Sequence, residues 1–184
     1  LFGQGFNSIT SPDGTNLVAV GNSGKLYRSA SAGVSWVSYT NGALNMNCVT
    51  SLDNDVWIAS DNGTVYRTLK TVSTINSYTV GSSANLNSVH FINANTGFVC
   101  GDAGNVYKTV NGGVNWATSN TGISSVKLNS INFKDANNGT VVGNNGSVYV
   151  TSDGGASWIA QTSGTSYNLL KVKYFNDSIV AAGE

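Results

Sequence analysis

Apolar and polar positions repeat along this chain with a long, regular period. Four segments share the pattern Gly-x-hydrophobic-Tyr, and their tyrosines are spaced by 39, 41 and 42 residues. A period of about forty residues is typical of repeat proteins in which each unit forms one small sheet of four strands. The pattern therefore predicts an all-β repeat fold. The four tyrosines are Tyr27, Tyr66, Tyr107 and Tyr149.

Each unit contains signals for four strands. Apolar residues alternate with others in the first strand, at residues 7–10, 47–50, 87–90, 129–132 and 170–173. A continuous apolar run follows, as expected for a middle strand that is buried on both faces. The tyrosine strand is third, and the fourth is predicted to begin at a tryptophan. Helical periodicity is absent. The turns after the first strand carry most of the aspartates, at Asp13, Asp53, Asp55, Asp135 and Asp177.

These units predict one domain over residues 1–184, built as a β-propeller of four-stranded blades. The complete repeats are predicted at about 7–45, 46–85, 86–127 and 128–168, with a partial fifth at 169–184. The fifth unit lacks its tyrosine strand, and an open sheet edge promotes aggregation unless a ring closes. We expect the chain to form part of a larger ring. A four-bladed ring with a spliced end is the alternative.

A short motif joins the third and fourth strands. Residues 151–158 match Ser/Thr-x-Asp-x-Gly-x-x-Trp, the aspartate box, and two other units keep weaker versions with Asn or Ser in place of Asp. A carboxylate there can accept N–H groups of its own turn while the indole packs beneath. We predict a structural role, with catalysis by the aspartate as the alternative. The box residues are Ser31, Trp36, Asn111, Trp116, Asp153 and Trp158.

Together these motifs resemble the bacterial neuraminidase-repeat (aspartate-box) and photosystem-assembly-factor-like (YCF48-like) propeller repeats over nearly the whole chain. The resemblance implies a propeller of about seven blades. It is specific for the fold and unspecific for activity, because related repeats occur in sialidases, xyloglucan-cleaving enzymes, assembly factors and secreted adhesin-like proteins.

Composition narrows the possible partners. Charged residues make up 10% of the chain, with nine basic and nine acidic side chains. We predict no nucleic-acid partner, because a basic face is needed to neutralise phosphates. The neutral, polar composition is common in secreted β proteins and predicts an extracellular or cell-surface location in bacteria. No apolar run is long enough for a transmembrane segment.

Cysteine and acidic residues give no sign of a cofactor or a metal. Cys48 and Cys100 lack any Cys-x-x-Cys or histidine partner, and we predict two small buried residues in preference to a disulfide. Calcium requires six or more oxygen ligands, and no such cluster is evident in the sequence. No cofactor and no metal are predicted.

The sequence offers little to a catalytic interpretation. A sialidase resemblance implies three arginines, yet only Arg28 and Arg67 are present, and Glu184 is the sole glutamate. Both arginines follow a repeat tyrosine, which indicates a role at the blade surface or between blades. A pair of turn aspartates across a cleft would suit a xyloglucanase-like enzyme, although aspartate is common in such turns. No catalytic residue is predicted.

Five polar residues occupy the same register in successive first strands. If this strand is innermost, these residues approach the central channel. Because they differ from repeat to repeat while the rest of the unit is repeated, we expect them to form a binding surface. Hydrogen bonding between blades is the competing interpretation. These candidate ligand-binding residues are Thr10, Thr50, His90, Asn132 and Lys173.

The leading hypothesis from sequence is a non-catalytic binding or scaffold propeller of a secreted or surface bacterial protein, with a protein or glycan partner. A glycoside hydrolase with catalytic residues partly outside these 184 residues is the first alternative. An assembly factor for a membrane complex, as the YCF48-like resemblance implies, is the second.

Overall fold

The computed structural model describes residues 5–119, 122–176 and 178–184, so the predicted turn residue Asp177 lies outside the described part. Within it, strands form four sheets of four strands and one of two. The one helical element described is a short 3₁₀ turn at Asp102–Gly104. The strands are β1 Phe6–Thr10, β2 Leu17–Gly21, β3 Lys25–Ser29, β4 Val37–Thr40, β5 Met46–Leu52, β6 Asp55–Ser60, β7 Thr64–Leu69, β8 Asn76–Thr79, β9 Leu86–Phe91, β10 Gly97–Gly101, β11 Val106–Thr109, β12 Ala117–Thr118, β13 Leu128–Phe133, β14 Gly139–Gly143, β15 Val148–Thr151, β16 Ile159–Gln161, β17 Leu169–Phe175 and β18 Ser178–Gly183.

Each four-stranded sheet is an antiparallel meander whose strands follow the chain order. The second strand is buried along its length, as the continuous apolar runs predict, and in β10 and β14 every residue is buried. Where a box tryptophan is present, the fourth strand begins one residue after it instead of at the tryptophan itself. Trp36, Trp116 and Trp158 thus belong to the turns.

The sheets pack face to face through their first strands. Strand β5 contacts β1 on one side and β9 on the other, and β13 continues the series between β9 and β17. The second strand of each sheet also packs on the first strand of the following sheet. The first strand is therefore innermost, and the sheets are successive blades of a β-propeller.

Stacked aromatic rings lie between the second and third sheets and between the third and fourth sheets. Trp57 in β6 stacks on Phe91 in β9 with ring centroids 3.8 Å apart. Phe98 in β10 stacks on Phe133 in β13 at 3.9 Å. Each such contact joins the second strand of one sheet to the first strand of the next, so the core lies between blades as much as within them.

The glycine before each tyrosine strand is required by a close approach. Gly63 has a φ of +61°, and a Cβ placed on it would lie 1.7 Å from the Ser82 carbonyl oxygen. The Gly63 N–H donates to the Ala84 carbonyl oxygen at 2.8 Å. The segment that leads to the next blade thus crosses directly over this turn, and no side chain fits beneath it.

The two cysteines are separate buried thiols. Cys48 lies in the core between the second and third sheets, and Cys100 lies in the core between the third and fourth. Burial raises the pKa of the Cys100 thiol far above its usual range. This finding agrees with the prediction of two small core residues, and it makes Cys100 an inert thiol.

Candidate functional site

The five polar residues predicted as ligand contacts occupy equivalent positions near the end of each first strand. Their partners in the second strands are Val18, Trp57, Phe98, Thr140 and Val180 respectively. The structure brings three of them, His90, Asn132 and Lys173, into one open groove of about 640 Å³ across the third, fourth and fifth sheets. The groove is also lined by Phe133, Lys134, Tyr174 and Asn176.

Thr10 and Thr50 lie in the first two sheets and do not line this groove. The Thr10 hydroxyl is 2.7 Å from the hydroxyl of Ser51 in the next sheet, so it links two blades. Thr50 is half-buried in β5 opposite Trp57. Thr10 therefore fits the competing interpretation of these five positions, hydrogen bonding between neighbouring blades, more closely than a shared binding site.

A hydrogen-bond network runs across the three sheets of the groove. The Asn132 amide nitrogen is 3.2 Å from His90 Nδ1, and its Oδ1 accepts the Tyr174 N–H at 3.1 Å. The Tyr174 hydroxyl lies 2.8 Å from the Thr140 hydroxyl. Asn132 therefore bridges the blades before and after its own, and the floor of the groove is fixed by polar contacts.

His90 is held in its neutral form. Burial lowers the pKa of its imidazole to about 4, with Lys173 acting in the same direction and a hydrogen bond to the Phe133 backbone opposing both. The ring also lies parallel to that of Phe133, with centroids 6.4 Å apart. At neutral pH His90 contributes an uncharged hydrogen-bonding edge to the groove.

Lys173 is the solvent-facing member of the groove. It is exposed, whereas His90 and Asn132 are half-buried beside it. Lys134, also exposed, stands at the turn after β13. The neighbouring Asp135 accepts hydrogen bonds from Asn137 and Asn138 of its own turn. The groove thus combines a fixed polar floor with cationic side chains at its edge.

The predicted box residue Asp153 lies in the turn between β15 and β16. Its carboxylate accepts hydrogen bonds from the Ser157 hydroxyl at 2.6 Å, the Ser157 N–H at 2.9 Å and the Thr151 hydroxyl at 2.8 Å. The Ser157 side chain and backbone, followed by Thr151, lower the pKa of Asp153 to about 2. The carboxylate is ionised and engaged in its own turn.

The corresponding turns of the third and first sheets use weaker acceptors at the same place. Asn111 Oδ1 accepts the Asn115 N–H at 2.9 Å, and the Ser31 hydroxyl accepts the Ser35 N–H at 2.9 Å. The indoles of Trp36 and Trp116 each donate to a glycine carbonyl of their own turn at 3.0 Å. Trp158 is buried and donates instead to the Ser119 hydroxyl at 3.0 Å.

The basic residue that follows the repeat tyrosine forms a hydrogen bond to the next blade. The equivalent positions of the two arginines in the sequence indicate such a role between blades. Arg28 Nε donates to the Lys70 carbonyl oxygen at 3.0 Å, and Arg67 Nη1 donates to that of Gly112 at 3.3 Å. Lys108 Nζ repeats this contact with Gly154 at 2.9 Å. The arginines act between blades.

Some residues of the groove could not be predicted from the five equivalent positions in the first strands alone. Lys134, Tyr174 and Asn176 enter because the innermost strands place the turn of one blade beside the strand end of the next. In the sequence, each of them lies one to three residues after one of the predicted ligand-binding positions. A site assembled from several blades is visible only once the blades are stacked.

Within the described residues, no group of three or more histidine, cysteine or acidic side chains is arranged to hold a metal ion. Nor does this part of the chain contain a helix with the length and apolar character that crossing a bilayer demands.

No family model matches the chain, and no curated protein matches it in sequence. Among solved structures, "YCF48 bound to D1 peptide" superposes with a TM-score of 0.78 at 14% identity, over 98% of this chain and 60% of that one. YCF48 from Cyanidioschyzon merolae gives 0.70 at 16% identity, over 95% and 66%. The chain thus spans less than two thirds of the length of either structure. These similarities confirm the predicted β-propeller architecture, and this chain is similar in fold to the YCF48 propellers.

Proposed function

We propose that this chain is a non-catalytic β-propeller module that binds a protein partner, and that an extended segment of the partner lies in the groove at His90, Asn132 and Lys173. The observation that carries the proposal is that residues varying between repeats converge on one groove, whose floor is fixed by hydrogen bonds from neighbouring blades. Surface residues that vary on a rigid, repeated frame are suited to recognition.

The chemistry of the groove suits a polypeptide. Its volume of about 640 Å³ accommodates a few residues of an extended chain. Asn132, Tyr174 and neutral His90 supply polar edges for backbone groups, and exposed Lys173 can pair with a carboxylate. A solved structure of similar fold is described as bound to a peptide, which favours a protein partner over a glycan.

The ionisation of three turn aspartates argues against glycoside hydrolysis by these residues. Glycoside hydrolases need a carboxylic acid whose pKa is raised toward neutrality. Hydrogen bonds within their own turns lower the pKa of Asp13, Asp135 and Asp153 instead, with Lys70 adding to the effect on Asp13. These three carboxylates are ionised acceptors and are poorly suited to protonate a leaving group.

We also propose a secreted or cell-surface location in a bacterium. The support is compositional: charged residues make up 10% of the chain, and its strands and turns are rich in Asn, Ser and Thr. Detection of the native protein in culture medium or by surface proteolysis of intact cells would test this location.

The binding proposal is tested with a displayed library of random 15-residue peptides. Enriched peptides are measured by fluorescence anisotropy against the wild-type chain and Lys173→Ala. Lys127→Ala is the matched control, because Lys127 is also exposed but lies at the opposite ends of the innermost strands. We expect at least a fivefold weaker Kd for Lys173→Ala and no change for the control.

Peptides that bind both variants as tightly as wild type would place recognition elsewhere. A library that yields no binder, while a glycan array does, would contradict a protein partner. Release of sugar from any arrayed glycan by the purified chain would contradict the non-catalytic part of the proposal.

A further inference from the structure

Each of the first four innermost strands carries an asparagine that the sheet ladder does not pair. The register between first and second strands shifts at this residue in every one of these sheets. A β-bulge of this kind leaves one residue free of the ladder and redirects its side chain. We call these four residues the asparagine row: Asn7, Asn47, Asn87 and Asn129.

The amide nitrogens of the row are fully committed. Each Nδ2 donates to the carbonyl oxygen of the first residue in the next innermost strand, at 2.9 to 3.0 Å. Each also donates to a side-chain oxygen in the turn between the second and third strands of its own sheet, at 2.8 to 3.0 Å. These turn oxygens belong to Asn22, Asp61, Asp102 and Asn144.

Two donated hydrogen bonds use both hydrogens of a primary amide and fix its orientation. The four Oδ1 atoms accept no hydrogen bond from the residues that the structure describes. All four residues line one open cavity of about 410 Å³ at this end of the innermost strands, with Phe6, Lys127 and Leu170 at its edges. Four asparagines in equivalent positions thus border a shared space, and the amide oxygen of each has capacity to accept a hydrogen bond.

The electrostatic setting favours a positively charged donor. Asp61 and Asp102 accept hydrogen bonds from Asn47 and Asn87, and a donated bond to a carboxylate polarises an amide so that its oxygen becomes a stronger acceptor. Lys127 is the cationic side chain at the edge of the cavity. Its positive charge repels a cationic ligand. Replacing Lys127 should therefore change the affinity for a cation while leaving the asparagine row itself unchanged.

We propose that the asparagine row binds a cationic N–H group, an ammonium or guanidinium such as a lysine or arginine side chain of a partner. Several N–H donors on one cation can each meet an amide oxygen of a different blade. This site lies at the opposite ends of the innermost strands from the groove at Lys173. It therefore goes beyond the proposed function, and the two proposals are tested independently.

The test is an NMR titration of the ¹⁵N-labelled chain, following the asparagine side-chain amide signals at constant ionic strength. Methylguanidinium and n-butylammonium are the probes, and tetramethylammonium is the control cation because it carries no N–H. We expect saturable shifts of the row signals with a Kd of about 1–10 mM for at least one probe, as suits so small a ligand. Tetramethylammonium should be at least fivefold weaker.

Two variants refine the result. Asn7→Leu removes the most exposed member of the row and introduces the residue that the fifth sheet has at this position, and it should weaken binding about threefold. Lys127→Ala should tighten binding about twofold by removing a like charge. The tighter probe identifies a lysine-like or an arginine-like ligand. Equal shifts with all three cations, no saturation, or indifference to both variants would overturn the proposal.

Discussion

The indole nitrogen of Trp57 donates a hydrogen bond of 3.0 Å to the carbonyl oxygen of Gly112, 55 residues away. The bond joins the second strand of one blade to the box turn of the next, beside the stack of Trp57 on Phe91. The turn that carries the box motif is therefore also a point where neighbouring blades are held together.

Trp57→Phe should retain much of the aromatic stack and lose this hydrogen bond. The Gly112 carbonyl keeps Arg67 as a weaker donor, but loss of the buried indole also leaves a cavity, so we expect a loss of about 2 to 3 kcal/mol in the free energy of unfolding. Urea denaturation followed by far-UV circular dichroism measures it. Trp36→Phe is the matched control, because that indole bonds within its own turn and should cost less. A larger loss in the control would contradict the role assigned to Trp57.

Gly63→Ala should be severely destabilising. Its Cβ would collide with the Ser82 carbonyl oxygen in addition to adopting positive φ, so a loss above about 3 kcal/mol is expected. Gly81→Ala tests the backbone term alone, because Gly81 has a φ of +79° and no atom within 4 Å of the added carbon. It should cost about 1 kcal/mol. Equal losses in the two variants would show that the crossing segment is not where we describe it.

Asn87→Leu should remove a link between the third and fourth blades. The variant loses the bonds to Asp102 and to the Leu128 carbonyl oxygen, and we expect a loss of about 2 kcal/mol in chemical denaturation. The reverse change at the equivalent place in the fifth sheet, Leu170→Asn, should change stability by less than about 0.5 kcal/mol because Leu170 is 45% exposed. A neutral Asn87→Leu would refute the link.

His90 should make stability depend on pH in a defined window. Its pKa is about 4 in the folded chain against 6.5 when unfolded, so the unfolded state binds a proton first as the pH falls. Stability is full above pH 6.5 and declines toward pH 4, by about 2 to 3 kcal/mol. Urea titrations at pH 7.0 and 4.5 measure the decline, which His90→Gln should abolish.

This window reports on His90 selectively. It is the only histidine in the chain. The aspartates with lowered pKa values lose their stabilising effect only as the pH falls below their ordinary value of 3.8. A decline that persists in His90→Gln would assign the effect to other groups.

Asp153→Asn should be mildly destabilising at pH 7, because Asn111 performs the same acceptor role, more weakly, in the third sheet. Asp153→Ala removes the acceptor for Thr151 and Ser157 and should lower the urea midpoint clearly more. The two variants are compared under identical conditions. If both are equally destabilised, the charge of Asp153 matters more than its place as a hydrogen-bond acceptor.

Much of the fold follows from local patterns in the sequence. The continuous apolar runs identify the buried second strands of the four-stranded sheets, because a middle strand covered on both faces needs no alternation. In β18 of the two-stranded fifth sheet the same kind of run is exposed, so the burial predicted from its pattern is wrong there. The register of the row that includes His90 and Asn132 could also be predicted, because equivalent repeats place equivalent residues at the same height.

The contacts between blades could not be predicted in the same way. Asn87 reads as an ordinary first residue of a strand, and its partner, the Leu128 carbonyl oxygen, lies 41 residues away and carries no side-chain signal. The same holds for Trp57 and Gly112. The groove needs residues from three sheets, so its composition depends on the stacking and could not be read from one repeat.

Successive sheets of this chain pack face to face as propeller blades. Nuclear Overhauser contacts between aromatic ring protons of the folded protein test this packing most directly. We predict strong contacts between Trp57 and Phe91 and between Phe98 and Phe133, whose ring centroids are 3.8 and 3.9 Å apart. Absence of both contacts in a well-dispersed spectrum of the folded chain would contradict this packing.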